Sequence, residues 1–421
     1  MTKFRLSIHA HFHHPPRANP MTGVIGSESS AAPFRNWNER VTEEIYRPNA
    51  QRGNFERLSL DISETFMQWL SARASETYSA ITNSVRTYEK LNGVSNVLAT
   101  PLHPAPLPLL PARDRLTQLV WGRNAAIKRF GIVPQGVFLP EFAADLGTLQ
   151  AAADAGFRYT LLRVHQVEGL PERGGAGPYQ VALPNGTTID VFVVDDALTT
   201  SMQKEMVERG GAGYWARTEL LSHCRFAGPL TLLYLDGEEI GGAHMAEAAF
   251  VQYLLSHEAR ACGYEPVTLE QYYAAYDGPR ATIGVLPYQA PDISPRQRDL
   301  YAALERIMPE ADLIFRDEIG ESAWALRNQA YGGEFPSAYR HLLQSQIALQ
   351  EAWSNVYALE RHPQIGNDHI LMEVAYAVVL MQHQAKANLA TTFTESLAEP
   401  LVKQFEKHMA RIEQDLAARA G

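Results

Sequence analysis

The sequence predicts an α/β protein in which a barrel-like parallel sheet is followed by a helical region. Three observations lead there. Strand-like apolar runs alternate with helix-like segments over the first 285 residues, the pattern that builds a parallel sheet. Histidines and acids stand directly behind several of those runs, where a parallel sheet of this kind keeps its chemistry. Beyond residue 285 strand candidates almost vanish, and "PDISPRQRDLYAALERIMPEADLIF" carries the proline punctuation of a boundary. A catalytic-type domain over 1–285 and a helical domain over 286–421 are therefore expected.

Taken in order, "KFRLSIHAH" alternates like a half-buried strand and runs into histidines and prolines, so the loop behind it should lie at the strand's C-terminal end. "SNVLAT" (95–100) reads as a second strand. "RLTQLVWGRNAAIKRFG" (115–131) has helical spacing and a closing glycine, and "DLGTLQAAADAG" (145–156) repeats the pattern with Asp145 as N-cap. "YTLLRV" (159–164), "TIDVFVVDD" (188–196) and "LTLLYLDG" (230–237) complete the strand candidates. The "GGAGP" and "GGAG" pieces near 174 and 210 read as flexible surface loops.

With 421 residues, the chain is long enough for two cores. A net charge of −10, from 37 basic and 47 acidic residues, argues against a nucleic-acid partner. Cys224 and Cys262 are too few for a disulfide framework or a cysteine-rich zinc module. The N-terminal stretch lacks the apolar core of a secretory signal, and no window approaches a membrane span. A cytoplasmic protein with no membrane partner is the expectation; oligomeric state is not readable.

The chemistry-bearing residues fall in three places. His9, His11, His13 and His14 crowd into "HAHFHHPP", and on an extended segment the first three project to one side. They suit pocket-wall hydrogen bonding, direct contact with a polar ligand, or a metal completed by Asp236 or His244. In "LLYLDGEEIGG" an apolar strand delivers Asp236 and turns at Gly237. In "GVFLPEFAAD" a single acid, Glu141, sits in a run otherwise fit for burial, and such a carboxylate needs a partner or a task. Two carboxylates at the mouths of two strands of one sheet are what glycosyl transfer uses. Helix caps or turn formers are the plainer alternative.

The same stretches resemble motifs of glycoside hydrolase family 57, enzymes of α-glucan metabolism, and especially a branch that opens with H-x-H-F-x-Q-P-P-R. "HFHHP" (11–15) resembles the H-x-H-Q-P motif and "SNVLAT" the G-N-V-E-V-T motif; "GVFLPEFAAD" resembles G-x-W-L-P-E-x-A, and "YLDGEEIGG" resembles D-G-E-x-x-G. Residues 29–50 and 113–131 resemble that branch as well, so the likeness covers 5–275; the fifth motif is placed at "RNQAYGG" (327–333). Among the motif positions that depart, His14 replaces Gln, Leu98 replaces Glu and Phe138 replaces Trp.

The resemblance implies an incomplete (β/α)7 TIM-like barrel and a retaining double displacement. It implies Glu141 as nucleophile and Asp236 as general acid/base, the latter with a raised pKa. His11 and His13 would contact sugar hydroxyls. Trp37, Trp121 and Tyr234 are stacking candidates, although Trp121 equally suits the core of the 115–131 helix. No metal and no cofactor is needed. The expected substrate is an α-glucan. A 4-α-glucanotransferase or branching enzyme with the same acids, a metal-dependent deacetylase-like enzyme, and a catalytically weak carbohydrate-binding protein are the alternatives.

Overall fold

The computed structural model describes residues 4–14, 25–28, 31–102, 107–109, 112–172, 174–208, 210–223, 228–237 and 246–288. The chain divides into two compact units: Met1–Pro15 with Ser27–Tyr288, and Pro16–Gly26 with Gln289–Gly421. Apart from residues 25 and 26 the second lies outside the described residues, and with it the expected helical region and "RNQAYGG".

Among the described residues the strands are β1 (Phe4–Phe12), β2 (Ser59–Ile62), β3 (Gly136–Val137), β4 (Tyr159–Arg163), β5 (Val167–Glu168), β6 (Tyr179–Ala182), β7 (Thr188–Val194), β8 (Leu230–Asp236), β9 (Tyr264–Pro266) and β10 (Gly284–Val285). One sheet runs β2-β1-β8, all parallel, with β9 pairing the start of β1. Another runs β3-β4-β7-β6, parallel except for the antiparallel β6. The short pair β5 and β10 is antiparallel.

Residues 95–100 join the two larger sheets. They form no full strand, but parallel bridges link Val97 to Leu60 and Ala99 to Val137. On the other side, Asp195 N–H donates to the Leu232 carbonyl (2.9 Å), while Ala176 donates to Leu230 O and accepts from Val193 N, 2.9 Å each. The "GGAGP" stretch is therefore no loose loop. Gly175, at φ +61, lies so close that a Cβ there would meet Leu230 O at 2.6 Å. The "GGAG" stretch likewise differs from expectation, because Gly211 precedes the helix Ala212–Trp215. Among the described residues the ladders are mixed and do not close into one continuous hydrogen-bonded barrel.

Alternation along β1 sets up the rest. Leu6, Ile8, Ala10 and Phe12 face one way, into a core with Leu60, Ile62, Leu233 and Leu235 and the helices Glu64–Arg73, Ser75–Asn92 and Asp196–Val207. A second core backs the other sheet through Val137, Leu162, Val191 and Val193. Each large apolar side chain contributes about 1.5–3 kcal/mol on burial. A handful of them offsets the several kcal/mol that drying a polar site costs. The polar residues lie on the opposite face of β1, where Ser7 and His9 have no exposed surface and His11 little.

The helix expected over 115–131 spans Ala112–Phe130, and the one over 145–156 spans Leu146–Asp154. Asp145 caps the latter by accepting from Thr148 N at 2.6 Å. No helix among the described residues is long and apolar enough to cross a membrane.

Candidate active site

Strand register builds the site. In the parallel ladders His11 stands opposite Asp61 on β2 and Asp236 on β8, while His9 stands opposite Ser59 and Tyr234. All these residues belong to one face, and His11, Asp61 and Asp236 lie towards the C-terminal ends of their strands. Asp61 has no exposed surface and grips both imidazoles: its Oδ1 is 3.1 Å from His9 Nε2 and its Oδ2 2.8 Å from His11 Nδ1.

That arrangement divides the charge. Burial alone would lower the His11 pKa, but the Asp61 carboxylate overcomes it by charge and hydrogen bond. Asp236 and Glu141 add to the pull, and His11 is raised to about 9. Burial dominates for His9, whose pKa is lowered despite Asp61. Burial and the neighbouring His11 and His14 push His13 down to about 3. Burial also opposes ionisation of Asp61, but the two imidazoles win and its pKa is lowered. At neutral pH the charge of this cluster thus sits on His11, beside the Asp61 carboxylate.

Glu141 does not sit on a strand. It comes after β3 on a tight turn, Pro140–Phe142, with φ 58 and ψ 15, and Phe142 is left-handed too at φ 54. Left-handed backbone costs an L-residue about 1–2 kcal/mol, and strain of this kind in non-glycine residues gathers at functional sites. The turn is closed by Phe142 N donating to Leu139 O and Ala143 N to Pro140 O, 2.9 Å each. It breaks the apolar run so that a half-buried acid can leave the core, which is why Glu141 stands alone between Leu139 and Phe142.

Asp236 ends β8, also half-buried. Behind it Gly237 has no room for a side chain, since a Cβ would strike the Phe12 ring and lie 2.6 Å from His11 O. The two acids share neighbours: both act on His11, and both, with burial as the larger cause, raise the Tyr234 pKa. Between and below them lies an aromatic floor. Phe138 lies 4.6 Å from the His11 ring and stacks on Tyr234 at 5.7 Å, and Phe142 meets Tyr234 edge-on at 4.8 Å. The Arg163 guanidinium lies 4.4 Å over Phe142 and donates to Asp196 at 2.5 Å.

The other sequence-derived candidates separate. His13 is half-buried, its ring 5.8 Å from that of His11 and its Nδ1 without a hydrogen-bond partner. Trp37 is half-buried against the helix-side core, with Arg40 4.8 Å over its ring. Trp121 is a correction: it is 0% exposed within its helix and offers a sugar no face. His14 lies edge-on to Phe66, 5.5 Å away, and Leu98 is buried beside Phe138. Asp61 was missed because β2 is four residues long and "SLDI" gives almost no periodic signal. Arg163 was missed because one arginine closing a strand carries no motif.

No group of three or more His, Cys, Asp or Glu is arranged to hold a metal among the described residues. His244 lies outside them. The Asp61 bonds engage one nitrogen each of His9 and His11.

Residues 9–280 match the family model for Glycosyl hydrolase family 57. No curated protein matches the chain in sequence. Among solved structures the fold is similar to that of the α-amylase AmyC from Thermotoga maritima, at 13% identity and a TM-score of 0.68, covering 96% of this chain and 97% of that one. It is similar to a GH57-type branching enzyme from Pyrococcus horikoshii at 15% identity and TM-score 0.66, covering 96% and 95%. A 4-α-glucanotransferase from Thermococcus litoralis matches at 15% identity and TM-score 0.52 over 90% of this chain, which spans 60% of that enzyme's length.

Proposed function

Because the chain belongs to glycosyl hydrolase family 57, we propose that it is a retaining glycosidase of α-glucans that works by double displacement. Glu141 is the nucleophile and Asp236 the general acid/base. One observation carries this reading: His11 stands opposite Asp236 in the strand ladder and packs at 4.6 Å on Phe138, which precedes the strained turn that presents Glu141. The segments β1, β2, 95–100, β3, β4, β7 and β8 are then the staves of an incomplete (β/α)7 barrel, within a catalytic domain of residues 1–285. The helical domain expected over 286–421 lies, beyond residue 288, outside the described residues.

In the first step Asp236 gives its proton to the glycosidic oxygen as the bond from that oxygen to the anomeric carbon breaks, and a Glu141 oxygen bonds to that carbon from the opposite face. In the second, Asp236 takes a proton from water, which displaces Glu141 and restores the original configuration. This sequence requires the two carboxyls about 5–5.5 Å apart. His11, fixed through Nδ1 by Asp61, leaves Nε2–H for a sugar hydroxyl. His13, ring to ring with His11, is a further contact for the sugar, and Tyr234 packs beneath His11 through Phe138. No metal or cofactor enters. Water is the acceptor we favour, since the motif resemblance fades beyond residue 285. A sugar acceptor would turn the same intermediate to transfer, and the likeness to a branching enzyme and a glucanotransferase keeps that second reading in view.

The test is to incubate the protein with maltooligosaccharides and amylose while following chain lengths, branch points, reducing ends and the anomer first released. Hydrolysis with retention gives rising reducing ends, no longer products and the α-anomer first. Longer or branched products at constant reducing ends move the reading to transfer. Release of the β-anomer, or no change in any α-glucan, overturns it.

A further inference from the structure

The strained turn that presents Glu141 is not held by its own hydrogen bonds alone. The Gln166 side chain reaches across from the end of β4: its Nε2 donates to Phe142 O at 2.6 Å, and its Oε1 accepts from Arg163 N at 2.9 Å. With one partner a carbonyl and the other an N–H, the amide orientation is fixed. Gln166 is anchored in turn, its own carbonyl accepting from Leu286 N at 2.9 Å. Arg163, whose N–H it binds, lays its guanidinium over the Phe142 ring. Both ends of the clamp therefore bear on Phe142, the residue next to Glu141.

We propose that Gln166 is a positioning residue for the nucleophile, holding the left-handed Glu141–Phe142 turn so that the Glu141 carboxylate faces the anomeric carbon. This rests on the reading of Glu141 as nucleophile. Two adjacent left-handed residues without glycine relax towards negative φ unless the surrounding structure prevents it. Loss of the bond to Phe142 O frees that relaxation, and the carboxylate swings with the backbone. A misplacement of about 1 Å costs on the order of a hundredfold in rate. The loss belongs in kcat rather than KM, because the turn aims the attacking oxygen instead of binding sugar hydroxyls.

The test is a cycle with α-maltotriosyl fluoride as donor, whose fluoride leaves without acid help. In the Glu141→Gly enzyme, azide attacks the anomeric carbon from the side the carboxylate held and fluoride departs with the bonding electrons, giving the β-glycosyl azide. Gln166→Leu should lower kcat about a hundredfold in the otherwise native chain and leave the azide-dependent rate of Glu141→Gly nearly unchanged, since the group being positioned is gone. Gln166→Glu keeps size and the acceptor for Arg163 N but faces Phe142 O with a carboxylate. It should behave alike, and it serves if the leucine variant does not fold. Equal losses in both backgrounds, or an undiminished kcat in either folded Gln166 variant, overturn the inference while sparing the nucleophile. Full activity of Glu141→Gly without azide overturns both.

Discussion

At the scale of single residues, Asp61 binds two buried imidazoles and raises the pKa of one, His11, while that of the other, His9, is lowered. Glu141→Gln and Asp236→Asn should each abolish turnover of maltooligosaccharides and leave the thermal unfolding midpoint nearly unchanged, because each removes a charge or proton used only in the chemistry. Normal turnover in either variant would end the assignment. Asp61 makes a separate claim, on stability. With His11 raised to about 9 from 6.5, the stability it contributes is full below the unfolded value and is lost as pH rises through about 9. The lowered Asp61 pKa makes its own share present above 3.8 and lost on acidification. Asp61→Asn should therefore be most destabilising between those limits, with the gap to the native chain narrowing as pH passes about 9. Unfolding curves across pH check this, and a gap constant from pH 5 to 10 would contradict it.

At the scale of elements, a further buried carboxylate bonds Tyr159 of the cluster that also holds Phe138, Phe142 and Tyr234. On the helix Leu269–Ala275, Glu270 accepts from the Tyr159 hydroxyl of β4 at 2.7 Å. Burial raises its pKa from 4.5 to about 7, against a smaller opposite pull from the Tyr159 bond and Arg158. The unfolded chain thus ionises first as pH rises, so this group costs stability progressively from pH 4.5 and fully above about 7. Glu270→Gln keeps an acceptor for Tyr159 and should raise stability at pH 8, by up to about 3 kcal/mol from a shift of this size, with no gain at pH 4. Equal effects at both values would refute it. Legibility also divides by element. β1, β4, β7 and β8 were readable because apolar alternation or a continuous apolar run reflects burial of the strand itself. β2 was not, since four residues give no period. Residues 95–100 read as a strand yet form only two bridges, because their neighbours meet them for one residue each. Glu141 and Asp236 stand out in the sequence as acids closing apolar runs, which marks them as candidates. The left-handed turn does not, for nothing in "LPEFA" announces positive φ, and neither does the shared grip of Asp61, which depends on register between distant strands.

At the scale of the whole molecule, one described unit brings together residues from positions 9, 61, 141, 163 and 236, and the function proposed depends on that convergence more than on any one of them. A structural or binding protein could keep the acids as caps, but it would have no reason to strain the backbone at one and hold a cation beside both. The same logic separates an active glycosidase from a weak carbohydrate binder: the binder needs the pocket wall, whereas the enzyme needs an oxygen able to bond to the anomeric carbon. The most direct test of that difference is to trap the bond. Incubation with 5-fluoro-α-glucosyl fluoride, which forms a glycosyl-enzyme rapidly and releases it slowly, followed by digestion and mass spectrometry, should place one glycosyl group on the Gly136–Asp145 peptide, at Glu141. A label on another residue, or no label on a protein that cleaves α-glucans, would contradict the account.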